Sequence, residues 1–270
     1  MSEFAPPPAH VVAAFGADSA PAMKLPGTSG TVWRFGDVVL RPAGDPVAAA
    51  WVAGVFESLR VAQIRIPRPV RSLDGRWVVG GWSAQRFVSG RPAARYDDIV
   101  DASFALHEAL AGVAAPRFLA ERQDIYRWAD RLAWGEIDEE AQRLGDGHGA
   151  RLFEAIAAGR APVDLPSQVV HGDLFGNVLF AGSAPPAVID FTPYWRPVNY
   201  AAAVIVVDAV SWGGAPIELV QRWEHLQQWG QVLRRALLFR LALSLAHPRT
   251  TPESLVGMLT AAEVIRPLLG

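Results

Sequence analysis

The chain has no cysteine, which excludes a disulfide framework, a thiolate metal site and a cysteine nucleophile, and is compatible with a reducing cytoplasm. Lysine is almost as scarce: Lys24 is the sole one among 25 basic residues, so nearly every cationic contact must be made by arginine. There is no basic excess. A formal net charge of −2 argues against general nucleic-acid binding, which needs a basic face to displace counterions. Long apolar runs are also missing. The longest, Tyr200 to Val207, is interrupted by Asp208 and is far too short to span a bilayer, and MSEFAPPPAH lacks the basic-then-apolar pattern of a signal peptide. The expectation is a soluble, cytoplasmic protein without a nucleic-acid or membrane partner.

What is present is core. With 51% hydrophobic residues, 270 residues suffice for one large domain or two lobes. After a proline-rich start, residues 9–15 read as a short helix and 19–26 as irregular chain. A strand, the turn Gly27-Thr28-Ser29-Gly30, a strand, the hairpin turn Gly36-Asp37 and a third strand ending at Arg41 follow. Residues 45–60 have helical spacing, with Pro46 near the start. Residues 64–69 and 76–82 read as strands joined by Leu73-Asp74-Gly75. The run Gln85-Arg86-Phe87-Val88-Ser89-Gly90 closes the first part, and Arg91-Pro92 marks a boundary between residues 1–90 and 91–270. The second part reads as mostly helical, with helices at 97–113, 121–132, 136–144, 150–158, 198–210, 216–229, 231–246 and 252–268, and an irregular stretch at 192–197.

Between these helices lies QVVHGDLFGNVLFAGSAPPAVID, residues 168–190. Short apolar runs separated by turn residues read as buried strands, which places Asp173, Asn177 and Asp190 at strand ends where side chains can converge. Two carboxylates and an amide oxygen are hard ligands suited to Mg²⁺ with a nucleotide, and a carboxylate can also take a proton from a hydroxyl. His171 reads as a packed, hydrogen-bonded histidine.

HGDLFGNVLF followed by VIDF resembles the catalytic and metal-binding segments of the aminoglycoside phosphotransferase and choline kinase group, relatives of protein kinases. The group's usual form is HGDxxxxN followed by (I/V)DF(G/E). Here the step from Asp173 to Asn177 is one residue shorter, and Thr192 stands at the last position. The resemblance implies an α+β, bilobal protein-kinase-like fold, with a small antiparallel-sheet N-lobe and a larger, mainly helical C-lobe. It implies Asp173 as catalytic base and Asn177 and Asp190 as Mg²⁺ ligands. Gly27, Thr28, Ser29 and Gly30 would line the phosphates, and residues 85–90, with Gln85, Arg86, Phe87 and Val88, would form the hinge facing the purine. Arg41 occupies the place of the family's phosphate-binding lysine, with Glu57 as its candidate partner or else a plain surface residue, and Lys24, just before the turn, reads as a solvated surface lysine that could reach in instead. The implied reaction is transfer of the γ-phosphoryl group of ATP or GTP to a hydroxyl of a small molecule.

The acceptor is not legible. Glu136, Asp138, Glu139 and Glu140 form either a bed for a polycation or a solvated helix face, the expected reading. Tyr194, Trp195, Trp212, Trp223 and Trp229 could wall a substrate or simply be core. The rival from another class is a nucleotide-binding pseudokinase acting as sensor or scaffold, suggested by Arg41 and the shortened loop. A hydrolase built on His171 and Asp173 lacks a nucleophile in a recognisable turn.

Overall fold

The structure is a computed structural model that describes residues 5–25 and 31–270. The chain begins with α1 (Ala9–Ala14), whose Val11 and Val12 are buried. β1 (Ala22–Leu25) follows, where irregular chain was expected. Its side chains are exposed or half-buried, so they carry no alternation, and the strand exists because it ladders onto β2 (Val32–Phe35). The turn at Gly36, with φ of 60°, leads into β3 (Val38–Pro42) as expected. α2 (Pro46–Ser58) starts where Asp45 accepts a hydrogen bond from the Val47 N–H at 2.8 Å, with proline in the first turn. The strands expected at 64–69 and 76–82 shrink to β4 (Pro69–Val70) and β5 (Val78–Val79). They pair not with each other but with β6 (Trp82–Arg86), which β5 reaches through Gly80 and Gly81, both at positive φ. The sheet order is β1-β2-β3-β6-β4, antiparallel throughout. Phe35, Val38, Leu40, Val79 and Ala84 share one core with Val11, Val12 and Phe15 of the first helix segment.

α3 (Tyr96–Leu110) and α4 (Phe118–Glu121) come next, then α5 (Ile125–Trp134). The single helix expected at 121–132 is broken because Asp124 turns back to cap α5, accepting from the Arg127 N–H at 2.9 Å. A 3₁₀ segment, Asp138–Leu144, stands where an α-helix was expected, ahead of α6 (His148–Ala157). β7 (Ser167–His171), β8 (Val178–Ala181) and β9 (Ala184–Val188) follow the apolar runs of the 168–190 segment. The irregular stretch expected after Asp190 is instead β10 (Pro193–Pro197), antiparallel to β7. Its prolines stand at the two ends of a strand with a single ladder partner, where a missing N–H is tolerated. α7 (Val198–Trp212), α8 (Glu218–Arg222), α9 (Trp229–Ala246) and α10 (Pro252–Ile265) complete the chain. The helix expected at 216–229 is reduced to α8, and Gln228, at φ of 55°, separates it from α9.

Two compact units result: the chain up to Arg91 together with Leu179–Ile189, and Pro92–Val178 together with Asp190–Gly270. The β8–β9 hairpin therefore joins the first unit, not the second as the sequence suggested. The reason is Arg65, whose N–H donates to Pro186 O at 2.8 Å, whose carbonyl accepts from the Val188 N–H at 2.9 Å, and whose Nε donates to Pro185 O at 2.8 Å. Arg91 and Phe180 exchange a second pair of backbone bonds, at 3.0 and 2.9 Å. Among the described residues no helix is long and apolar enough to cross a membrane.

The helical unit is centred on α7 and α9, both buried nearly all round. Beside them Asp130, 1% exposed, accepts from Arg196 Nε at 3.0 Å and Nη2 at 2.6 Å. Arg196 Nη1 also meets Glu136 at 2.9 Å, and its guanidinium lies 4.5 Å from the Trp134 ring centroid. Removing Asp130 takes away the buried carboxylate that meets two of the guanidinium nitrogens and leaves Arg196 with Glu136 alone. Asp130→Ala is therefore expected to cost about 3–5 kcal/mol in denaturant unfolding, whereas Asp130→Leu combined with Arg196→Met recovers most of it.

Candidate active site

Strand β7 delivers His171 to the interior, 1% exposed, and the ladder places it opposite Pro193 of β10. Its Nδ1 accepts the N–H of Asp173 at 3.2 Å and that of Thr192 at 3.5 Å, so one imidazole ties the segment after β7 to the segment after Asp190. The Gly172 N–H donates to Thr192 O at 3.1 Å. A side chain at Gly172 would collide with the Tyr194 ring, so only glycine allows this close approach. Behind His171 lies His107 of α3. Its Nε2 accepts the His171 N–H at 2.9 Å, which fixes the proton on Nδ1, 3.2 Å from Ser103 Oγ. His171 is thus a framework residue, as expected.

Asp173 follows the end of β7 with its side chain half-exposed. Its Oδ1 accepts from Arg240 Nη2 at 2.8 Å, and its carbonyl accepts from Asn177 Nδ2 at 2.7 Å. The shortened loop closes as a turn of its own: the Asn177 N–H donates to Leu174 O at 2.9 Å, with Gly176 at φ of 82°. Asn177 is buried, and with its amide nitrogen committed to the loop, its oxygen is the end suited to a cation. Asp190 has φ of 53°, one of two non-glycine residues at positive φ among the described residues. Such a conformation costs of order 1 kcal/mol and clusters at functional sites. Its carbonyl accepts from Thr192 Oγ1 at 3.2 Å. The helical unit thus brings Asp173 and Asn177 into direct contact and anchors Asp190 through its neighbour Thr192.

Two residues that the sequence reading passed over complete the arrangement. Arg240 of α9 donates through Nε to Asp208 Oδ1 at 2.7 Å and through Nη2 to Asp208 Oδ2 at 2.5 Å. Burial pushes the Asp208 carboxyl up to about 6, against the pull of the Arg240 guanidinium and with a further push from Asp173. The available signal was a charged residue set between apolar neighbours, Asp208 after Val204–Val207 and Arg240 within Leu237–Ala242.

The described residues among those assigned to nucleotide binding, Arg41, Glu57 and Gln85 to Val88, lie on the first unit. Gly27, Thr28, Ser29 and Gly30 fall outside the described residues. Arg41 is on β3, but the cation on Glu57 is Arg71, not Arg41: Nε and Nη2 meet the two carboxylate oxygens at 3.1 and 2.9 Å. Glu57 lies on the exposed face of α2, within reach of the loop after β4, where Arg71 also stacks on Trp77. Gln85 and Arg86 belong to β6. The Arg86 N–H donates to Arg68 O and the Phe87 N–H to Asp37 O, both at 2.7 Å, and the Arg86 side chain pairs with Asp37. The N–H groups of Arg86 and Phe87 are thus already committed within the chain.

The acidic cluster is largely paired within the chain. Glu136 meets Arg196 and Arg131, Asp138 meets Arg160 at 2.8 Å, and Glu140 meets Arg143 at 3.4 Å. Tyr194 and Trp229 are core, Trp223 is half-buried, and Trp195 and Trp212 are exposed.

A family model described as "Phosphotransferase enzyme family" matches residues 26–194. Homoserine kinase of Granulibacter bethesdensis is 28% identical over 185 residues, covering 62% of this chain and 54% of that protein. Homoserine kinase of Gluconacetobacter diazotrophicus is 29% identical over 187 residues, covering 62% and 55%. The chain spans about half the length of these curated relatives. Among solved structures, an aminoglycoside phosphotransferase from Alicyclobacillus acidocaldarius superposes with a TM-score of 0.58 at 18% identity, covering 98% of this chain and 95% of that one. Spectinomycin phosphotransferase in complex with ADP and spectinomycin gives 0.55 at 12% identity, covering 90% and 91%. A choline/ethanolamine kinase family protein from Mesorhizobium loti gives 0.54 at 16%, covering 92% and 88%. The fold is that of the protein-kinase-like aminoglycoside phosphotransferases.

Burial holds His107 down at about 3, with His171 as the lesser cause. The unfolded chain, with histidine near 6.5, then binds the extra proton between those values. The stabilising contribution is complete above about 6.5 and is lost as pH falls towards 3, at up to about 1.4 kcal/mol per unit. Urea unfolding from neutral to acid pH should show the wild type losing stability more steeply than His107→Gln; parallel curves would remove this role.

Proposed function

This chain belongs to the phosphotransferase enzyme family, and from that premise we propose that it transfers the γ-phosphoryl group of ATP or GTP, with Mg²⁺, to a hydroxyl of a small molecule. The observation that carries the proposal is Asp173, a half-exposed carboxylate fixed by Arg240 on one oxygen and by Asn177 at its backbone. A carboxylate so held is suited to orient an acceptor hydroxyl and take its proton as the oxygen bonds to the γ-phosphorus. The bond from that phosphorus to the β–γ bridging oxygen breaks, the nucleoside diphosphate leaves, and Asp173 returns the proton to solvent. Alignment of the two reactants does most of the remaining work.

The donor set fits the metal. Asn177 offers an amide oxygen and Asp190 a carboxylate, both hard ligands, and Mg²⁺ characteristically takes few protein oxygens and completes its shell with phosphates and water. Among the described residues no group of three or more His, Cys, Asp or Glu could hold a metal by itself, so the nucleotide would supply the rest. Bound there, Mg²⁺ would neutralise charge on the phosphate oxygens. Arg41 is the cation we assign to the phosphates, together with residues 27–30.

For the acceptor, pairing of the acidic cluster with the chain's own arginines weakens the case for a polycation, and the names of the relatives make homoserine the first alcohol to test. Arginine in place of lysine at position 41 favours a second reading, a nucleotide-binding sensor without transfer.

Mg²⁺-ATP or Mg²⁺-GTP at about 100 times its dissociation constant should stabilise the protein by about 2.7 kcal/mol, raising the melting temperature by a few degrees. Asp190→Ala should abolish that metal-dependent shift, and Asn177→Ala should weaken it less; no shift in the wild type contradicts both readings. In an assay of ADP or GDP release with homoserine and other alcohols, Asp173→Ala should lower turnover about 10²- to 10⁴-fold with nucleotide affinity unchanged. A rate that survives the substitution would assign the base elsewhere, and tight nucleotide binding with no transfer would favour the sensor.

A further inference from the structure

Arg240 lies in the apolar run Leu237-Leu238-Phe239-Arg240-Leu241-Ala242 of α9 and is 5% exposed. A guanidinium in that position has a large desolvation cost and needs a carboxylate, which Asp208 of α7 supplies through both its oxygens. That pair would be complete on its own. Nη2 nevertheless reaches a second carboxylate, Asp173 Oδ1, at 2.8 Å.

The other buried pair provides a comparison. Arg196 is held by Asp130 and turns its remaining nitrogen to Glu136, so it closes within the scaffold and touches none of Asp173, Asn177 and Asp190. Arg240 alone among the buried arginines described spends a donor on Asp173.

We propose that Arg240 is a positioning residue for phosphoryl transfer: clamped by Asp208, it holds Asp173 Oδ1 so that Oδ2 is the oxygen presented to the acceptor hydroxyl. The inference rests on Asp173 being the base. The planar fork is essential to it, because three hydrogen bonds in one plane fix a direction in a way that a single ammonium on a flexible stem does not. Asp208 acts at one remove, by fixing the guanidinium.

The test is a double-mutant cycle. Turnover, acceptor KM and nucleotide affinity are measured for Arg240→Lys and Asp208→Asn, each in the wild-type and Asp173→Ala backgrounds, with thermal melts to establish folding. Arg240→Lys should lower kcat about 10- to 100-fold, the scale of a misplaced reacting group, while nucleotide affinity stays unchanged. In the Asp173→Ala background the same change should cost nothing further. Equal losses in both backgrounds, or an unchanged kcat, would overturn the proposal. Asp208→Asn, which keeps the shape of the clamp, should act in the same direction and carries the test if Arg240→Lys does not fold.

A crystal structure of each folded variant gives a readout that needs no activity. Asp173 should hold one rotamer in the wild type and more than one in the variant, and a single shared rotamer would overturn the positioning role. If the wild type transfers phosphate to no acceptor, the functional reading falls, and the rotamers still decide whether Arg240 positions Asp173.

Discussion

A buried guanidinium has to be satisfied, and in the helical unit α9 carries three of them. Transfer of each from water costs several kcal/mol unless acceptors are supplied at fixed places. Arg234 finds Ile156 O at 2.9 Å and Gly270 O at 2.7 Å, which ties the end of α6 and the end of the chain to the helix. Arg235 finds Ala161 O at 2.7 Å, and Arg240 finds Asp208 and Asp173. The position of Asp173 is therefore set by the same requirement that sets the packing of the unit. In a chain with a single lysine, arginine meets that requirement throughout, and its five donors allow one side chain to satisfy several segments.

The framework of the site was legible in residues 168–190 because it is local. Apolar runs interrupted by turn residues gave β7, β8 and β9, and the polar residues at their ends gave Asp173, Asn177 and Asp190. His171 was legible as a packing residue for the same reason. What was missed depends on partners distant in sequence. β10 is a strand only because β7 lies beside it, and its prolines hid it. β1 has no apolar alternation, and of the run 64–70 only Pro69 and Val70 pair with β6 while Arg65 bonds to Pro186 and Val188. Glu57 has Arg71 as its cation, which depends on the course of the loop after β4.

The charged residues inside apolar helices carried a different lesson. In the sequence Asp208 shows only as the interruption of the run Tyr200 to Val207, and Arg240 as one of three arginines in α9. Each is in fact explained by the other, across the packing of α7 on α9. Asp190 was legible as an acid at a strand end, but its positive φ was not, because no glycine or turn pattern announces it.

The attachment of the β8–β9 hairpin to Arg65 and Arg91 has a consequence for the order in which the molecule can be built. A ribosome releases the sheet β1–β6 long before it releases residues 179–189, and in between it must make α3 to α6 and β7. Until the hairpin emerges, the Arg65 carbonyl and the N–H groups of Arg65 and Arg91 await their partners. The first unit is thus the first to be started and cannot be finished until the core of the second has begun to appear. A cut after Arg91 would separate residues that are neighbours in sequence, but not the two folded units.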